Sequence, residues 1–461
     1  MKYTFLRKTE GTSRLIIIMT GWSTGPVLLE QLSVEGWDIL VCHSYSDFNF
    51  PTELLDSYKT IYLFAWSLGV AAAEMALADC RITAAYAFNG TPEPVNDELG
   101  IPTDIFIGTA VGLSERGLAK FQRRMCVSGS EYMNSIPLLK TDDSIPELRN
   151  QLLLYAKTKF PEPRLPWRRV YMGVKDAIFP ISNMRKYWEG YAEKHGIELI
   201  TLDIGHFIDL ARVVRSHIAD MTKVARSFSA SHDKYAQNAV AQKQIAQRLA
   251  EMIPAYERPV HAFEIGPGAG VFTKLIREKL DLRHLHLVDI YDISTSGYRS
   301  DETFIKDDAE QWIETASESW DIILSASSIQ WFADLKRFFR NVRDHLKPGG
   351  HLVCSTFLTG NLAQLDSLRP SPLLYLSRDE IEKMLSEIFD GYEVFNEDIT
   401  LSFDTPRKAL LHLRDTGVAG VGASGKTVAR IIKALTPEEG KKVELTYRPV
   451  YIHAWLNNTE S

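Results

Sequence analysis

Short, almost unbroken apolar runs recur along the first half of the chain. They are LIIIMTGW at 15–22, DILVCHSY at 38–45, TIYLFAW at 60–66, AAYAFNG at 84–90, DIFIGTA at 104–110, RVYMGVKD at 169–176 and ELITLDIGH at 198–206. Runs of this length with little polar alternation predict strands buried on both faces. An alanine-rich helical stretch fills the interval between residues 66 and 84. Strands and helices alternating at this spacing predict an α/β fold, with a mostly parallel sheet covered by helices on both sides. One interval differs: GLAKFQRRM and ELRNQLLLYAKTKF predict helices inserted between two strands over about 113–165.

A second series follows. The small, polar run SFSASHD at 227–233 predicts a joint, which divides the chain into domains 1–220 and 221–461. After a long helix at about 235–252 come strand AFEIG (262–266), a helix at 271–280, and strands HLHLVDI (284–290), DIILSASS (321–328) and GGHLVCSTF (349–357). A chain of 461 residues accommodates two such domains.

Composition narrows the setting. Hydrophobic content of 45% and charged content of 24% describe an ordinary globular chain. The net charge of -7 argues against non-specific nucleic-acid binding. Cys42, Cys80, Cys126 and Cys354 are scattered, so neither a metal site nor a disulfide framework is expected. The run LIIIM is too short for a signal peptide, and nothing approaches the ~20 apolar residues of a membrane span. A cytoplasmic setting with no membrane or nucleic-acid partner is the expectation.

Candidate chemistry in the first half centres on Ala65-Trp66-Ser67-Leu68-Gly69. A serine between a strand and a helix of small residues has the layout of a nucleophile elbow, with alanine in place of the first glycine of G-x-S-x-G. Serine hydrolysis also needs a histidine, a carboxylate that holds it, and N–H donors for the oxyanion. Asp176 follows RVYMGVK and His206 follows ITLDIG, which gives the order Ser, Asp, His expected of α/β-hydrolases. The oxyanion donors fall to Leu68 and to Trp22 in the TGW turn, each worth about 2.7–4 kcal/mol. Taken singly, Asp176 reads as a turn cap before Pro180, His206 as a loop histidine and Trp22 as core; their shared order is what favours chemistry.

The second half carries Glu264-Ile265-Gly266-Pro267-Gly268-Ala269-Gly270 between a strand and a helix. Such a turn lets a ligand approach the backbone and the helix N-terminus. NAD enzymes use relatives of it, but the sixth position of G-x-G-x-x-G is Val271 here. Asp289 ends the second strand, where it suits ribose hydroxyls, and Asp308 and Ala309 fall where an adenine edge belongs. This order is that of a Rossmann-like class I methyltransferase that uses S-adenosylmethionine.

Both halves resemble enzymes of biotin precursor synthesis. Through TGW, AWSLGV, GVKDAIFP and DIGHF, residues 1–215 resemble BioG-type pimeloyl-acyl-carrier-protein methyl ester esterases. Through ARSFSASHDKYAQNAVAQKQIAQRL, FEIGPGAGVFT, DIILSASSIQWFADL, STFLTGNLAQL and HLRDTGV, residues from about 222 to 457 resemble BioC-type malonyl-acyl-carrier-protein O-methyltransferases. The resemblance implies an α/β-hydrolase with a helical lid fused to a methyltransferase. It also implies an acyl carrier protein bearing malonyl or pimeloyl methyl ester groups as partner. An ionised carboxylate acceptor needs alignment rather than a general base. Tyr235 then stands where it would close the methyltransferase site and Trp331 where it would line an acyl tunnel; each reads equally well as core. An acidic carrier protein calls for a basic dock, and Arg116, Arg123, Arg124, Arg168 and Arg169 are the candidates. A generic carboxylesterase fused to a small-molecule methyltransferase, or a non-catalytic hydrolase-like scaffold, are the competing readings.

Overall fold

In the computed structural model the apolar runs of the first half assemble into one seven-stranded sheet. Its strands are β1 (Lys2–Arg7), β2 (Arg14–Met19), β3 (Asp38–His43), β4 (Thr60–Trp66), β5 (Ala84–Phe88), β6 (Trp167–Gly173) and β7 (Glu198–Leu202). They lie in the order β1-β3-β2-β4-β5-β6-β7. β1 runs antiparallel to β3, and every other neighbour is parallel. The residues described are 1–195, 197–218, 224–226, 228–229, 238–292, 299, 301–365, 375–416, 432, 435 and 442–458. The chain forms two compact units, Met1–Arg215 and Ser216–Ser461.

β2, β3, β4 and β5 are buried at every position, which is why their sequences show no polar alternation. The chain steps outward from β2 to β3, then returns to the other side of β2 as β4. At such a reversal the loops leaving the two strands diverge and open a crevice at their carboxyl ends. Trp22 follows β2 and Ser67 follows β4, so both border that crevice. Ser67 leads directly into helix α1 (Leu68–Leu77).

The expected strand at 104–110 is a helix. Between β5 and β6 lie α2 (Thr103–Val111), α3 (Glu115–Met125), α4 (Gly129–Ser135) and α5 (Ile145–Lys157), so the helical insertion begins earlier than 113. DIFIGTA reads as a strand from its β-branched residues, but the pattern it satisfies is helical. Phe106 and Ala110, four apart, are buried, whereas Ile105 is half exposed. β5 pairs directly with β6, which leaves no sheet position for it. After β6 come α6 (Ile181–His195), β7 and α7 (Leu210–His217).

The second unit includes α8 (Val240–Met252), β8 (Val260–Ile265), α9 (Val271–Lys279), β9 (Leu282–Asp289), β10 (Glu302–Lys306), α10 (Ala309–Trp312) and β11 (Trp320–Ser325). It continues with α11 (Leu335–His345), β12 (Leu346–Phe357), α12 (Arg378–Ile388), β13 (Gly391–Asn396), β14 (Ile399–Phe403), α13 (Pro406–Asp415), β15 (Val443–Tyr447) and β16 (Pro449–Trp455). Seven of the strands form a sheet in the order β10-β9-β8-β11-β12-β16-β13, while β14 pairs with β15. The first five are parallel, and β16 runs antiparallel between β12 and β13. This is the Rossmann-like arrangement expected of a methyltransferase. Successive residues of β11 feed opposite cores, Ile322 and Leu324 on one face and Ile323 on the other. The order reverses between β8 and β11, so a second crevice opens beside the glycine-rich turn that follows β8.

Candidate active sites

In the first unit the elbow holds Ser67 at φ 58 and ψ -128, a conformation that L residues rarely adopt. The Ser67 N–H donates to the Phe88 carbonyl at 2.9 Å, which ties the elbow to β5. His206 Nε2 lies 2.8 Å from Ser67 Oγ, and His206 Nδ1 lies 2.7 Å from Asp176 Oδ2. The other oxygen of Asp176 accepts the N–H groups of Ile178 at 2.8 Å and Phe179 at 2.9 Å. The turn cap read from sequence and the carboxylate that contacts His206 are therefore one residue. The Phe179 ring stacks parallel to the His206 imidazole at 5.9 Å, and Ser67 and His206 are both buried. With the proton on Nδ1, the imidazole donates to Asp176 and accepts from Ser67.

Trp22, Ser67, Leu68, Phe106, Phe121 and Leu152 border one cleft with about 440 Å³ of empty space, counting its open mouth. Its walls come from the turn after β2, the Ser67 turn after β4 and the inserted helices, with Ile101 and Ile178 from neighbouring loops. The Trp22 indole N–H donates to the Leu148 carbonyl of α5 at 3.0 Å, so the inserted helices also fix the turn after β2.

The two glycine positions of the elbow motif differ in what they tolerate. Ala65 is fully buried in β4, opposite Met19 and Ala87, and its methyl is accommodated. A Cβ at Gly69 would stand 2.4 Å from the Met19 carbonyl oxygen and 2.6 Å from that of Thr20. Gly69→Ala should therefore destabilise the first unit by about 1–3 kcal/mol, read as a lower Tm in thermal unfolding.

In the second unit three glycines shape the turn after β8. Gly266 has φ 66, and a Cβ there would stand 2.1 Å from Ser328 Oγ, so only glycine fits. Asp289, at the end of β9, accepts the Gly268 N–H at 2.9 Å. Burial pushes the Asp289 carboxyl up to about 6. Burial likewise pushes Glu264 up to about 8, and its Oε2 finds no hydrogen-bond partner among the described residues. Asp308 caps α10 by accepting the Glu310 N–H at 3.1 Å. Gly266, Gly268, Asp289, Asp308, Ala309 and Trp331 all border one cleft, with about 940 Å³ of empty space including its mouth.

Two buried carboxyl groups, one with an oxygen that lacks a partner among the described residues, a backbone cradle that excludes side chains and an apolar wall fit S-adenosylmethionine, whose ammonium and ribose hydroxyls are donors. Sequence reading missed two residues here. Gln242 of α8 is buried on the cleft wall with Oε1 lacking a partner among the described residues. Phe228 stands edge-on to Trp331 at 6.0 Å. Neither belongs to a turn motif. Tyr235 lies outside the described residues.

The basic candidates separate. Arg116, Lys120, Arg123 and Arg124 are exposed along α3 at i, i+4, i+7 and i+8. Arg124 also borders the Ser67 cleft and donates to the Ala177 carbonyl at 2.7 Å. Arg168 is half-buried on β6. Arg169 is a correction: it is buried in β6 and ion-paired with Glu198, its cross-strand partner on β7. It offers no surface to a dock. Among the described residues no helix is long and apolar enough to cross a membrane, and no cluster of side chains is built to hold a metal.

A family model described as "Pimeloyl-ACP methyl esterase BioG" matches residues 1–212, and one described as "Methyltransferase domain" matches residues 236–388. The malonyl-[acyl-carrier protein] O-methyltransferase of Bacteroides fragilis is 29% identical over 462 residues, covering 95% of this chain and 92% of that protein. Its counterpart from Porphyromonas gingivalis is 33% identical over 233 residues, covering 48% of this chain and 90% of that protein. Among solved structures, BioG from Haemophilus influenzae is 29% identical and covers 46% of this chain and 95% of its own, with a TM-score of 0.41.

Proposed function

Since the chain belongs to the malonyl-[acyl-carrier protein] O-methyltransferase family and carries a BioG domain, we propose that it both makes and removes carrier-bound methyl esters. The second unit methylates the free carboxylate of malonyl-acyl-carrier protein. The first, an α/β-hydrolase with a helical lid, cleaves the methyl ester of pimeloyl-acyl-carrier protein. The observation that carries the esterase half is the continuous pair of contacts, 2.8 and 2.7 Å, from Ser67 through His206 to Asp176.

In hydrolysis, Ser67 Oγ attacks the ester carbonyl while His206 Nε2 takes its proton. Asp176 holds the imidazolium through Nδ1. The N–H groups of Trp22 and Leu68 receive the developing oxyanion. His206 then returns the proton to the departing methoxide, and water repeats the sequence on the acyl-serine to release the acid.

The methyl donor is S-adenosylmethionine, whose sulfonium supplies an electrophilic methyl group. Glu264, Asp289, Asp308 and Ala309, with Gly266, Gly268 and Gly270, are the residues that would hold it. The acceptor carboxylate is already ionised near neutral pH, so the unit's work is to orient it and exclude water. Trp331 and Phe228 supply apolar wall for that purpose.

The pairing has a physical logic. A terminal carboxylate is costly to bury in an apolar acyl pocket, and methylation removes the charge until the chain is complete. The first unit must then spare the short malonyl ester and cut the longer one. Comparable hydrolysis rates for the two carrier-bound esters would contradict this.

The basic face of α3 is the proposed dock. Arg116→Glu with Arg123→Glu should raise KM for carrier-bound pimeloyl methyl ester about tenfold, with KM for a small ester unchanged. Steady-state kinetics on both substrates checks this, and an unchanged KM for the carrier-bound ester removes α3 from the dock. Arg124 is left intact because it also borders the ester cleft.

A further inference from the structure

The turn that closes β5, Phe88-Asn89-Gly90, meets the segments that carry Ser67, Asp176 and His206. Phe88 takes the Ser67 N–H, and a Cβ on Gly90 would stand 2.4 Å from the Ser67 carbonyl oxygen. Between them Asn89 sits at φ 45 with its side chain in the interior, 1% exposed. Its Oδ1 accepts the Gly173 N–H at 2.7 Å, at the end of β6 and three residues before Asp176. Its Nδ2 donates to the carbonyls of Gly205 at 2.9 Å and His206 at 3.0 Å. The His206 carbonyl takes a second donor, the indole N–H of Trp66, at 3.0 Å. Trp66 is the residue just before the nucleophile.

We infer that Asn89 is a positioning residue for the triad: its one carboxamide fixes the loops of Asp176 and His206 to the strand beside Ser67. The inference rests on the esterase reading above. The demand on this side chain is specific. One neighbour offers an N–H and two offer carbonyls, so the site needs an acceptor and two donors on a short stem, which is the inventory of asparagine. Aspartate keeps the acceptor and loses both donors. Asparagine also tolerates the left-handed region better than other residues with a side chain, so backbone and side chain demand the same residue. Asn89 and Trp66 both donate to the His206 carbonyl and so fix its backbone near Ser67. A displacement of about 1 Å in such a constellation costs roughly 100-fold in rate.

The test uses the full chain with two variants. Asn89→Asp is isosteric, and Asn89→Gly suits the same φ while deleting the side chain. For each, kcat and KM are measured on a short p-nitrophenyl ester, with kcat counted per active site titrated by a fluorophosphonate. The low-field proton of the His206–Asp176 pair is recorded by NMR. The expected result is a kcat lowered about 100-fold, KM within about twofold, and a shifted or lost low-field resonance in both variants. Unchanged kcat per titrated site with the resonance intact, even with a lower Tm, would overturn the inference. A wild-type chain with neither hydrolysis nor the resonance would instead overturn the esterase reading, and the inference with it.

Discussion

Ser67→Ala should abolish hydrolysis of the pimeloyl methyl ester while methyl transfer by the same chain proceeds at the wild-type rate. The expected loss in kcat is about 10⁶-fold, the scale on which removal of a triad nucleophile acts. The argument rests on geometry. Ser67 is buried, its φ of 58 is strained, and its oxygen lies 2.8 Å from the His206 imidazole. Ser23, Ser44 and Ser327 also have positive φ, so it is the contact with His206, itself held by Asp176, and not the backbone alone that points to Ser67 as the nucleophile. The substitution removes one oxygen from a site whose Cα position is set by Phe88 and Gly90, so the fold should persist. Assays of both activities on one preparation make the comparison internal. Hydrolysis undiminished in the variant would remove Ser67 from the chemistry, and a wild type without hydrolysis would favour a scaffold role for the first unit.

Asp289→Ala should have the reciprocal effect, weakening cofactor binding about 100-fold and leaving ester hydrolysis untouched. Hydrogen bonds to a charged group contribute about 1.5–3 kcal/mol, which sets that scale. Loss of the carboxylate also frees the Gly268 N–H that it now accepts at 2.9 Å, loosening the turn. Titration calorimetry with S-adenosylhomocysteine measures the change without turnover. The same residue sets a pH dependence. Burial raises Asp289 to about 6, and the ionised form is the one that accepts ribose hydroxyls. Besides the dependence near 8 that Glu264 sets, affinity should therefore fall by up to tenfold per unit below about 6. In Asp289→Asn this dependence should vanish. Affinity unchanged by Asp289→Ala would move the ribose contact elsewhere.

Much of this was legible because the chemistry sits at strand ends. Ser67, Asp176, His206 and Asp289 each follow an apolar run, and a parallel sheet delivers such ends to one edge. What the sequence hid has physical causes. β1 is an exposed edge strand with a mixed pattern, and it gave no buried run to read. DIFIGTA is too short to separate a strand from a one-faced helix, and its burial at i and i+4 appears only on folding. β16 enters the second sheet from the far end of the chain, a non-local pairing that no local pattern announces. Arg169 looks like a surface cation until Glu198 is found opposite it across β6 and β7. Asn89 and Gln242 carry buried amide groups that belong to no motif, and those of Asn89 are met by backbone from distant loops.

The most direct test of the account is mass spectrometry of two carrier-protein substrates incubated with the chain and S-adenosylmethionine. Malonyl-carrier protein should gain one methyl group and keep it, and the methyl ester of pimeloyl-carrier protein should lose one. If malonyl-carrier protein gains nothing, or if the pimeloyl ester survives while small esters are cut, the proposed pairing of activities is contradicted.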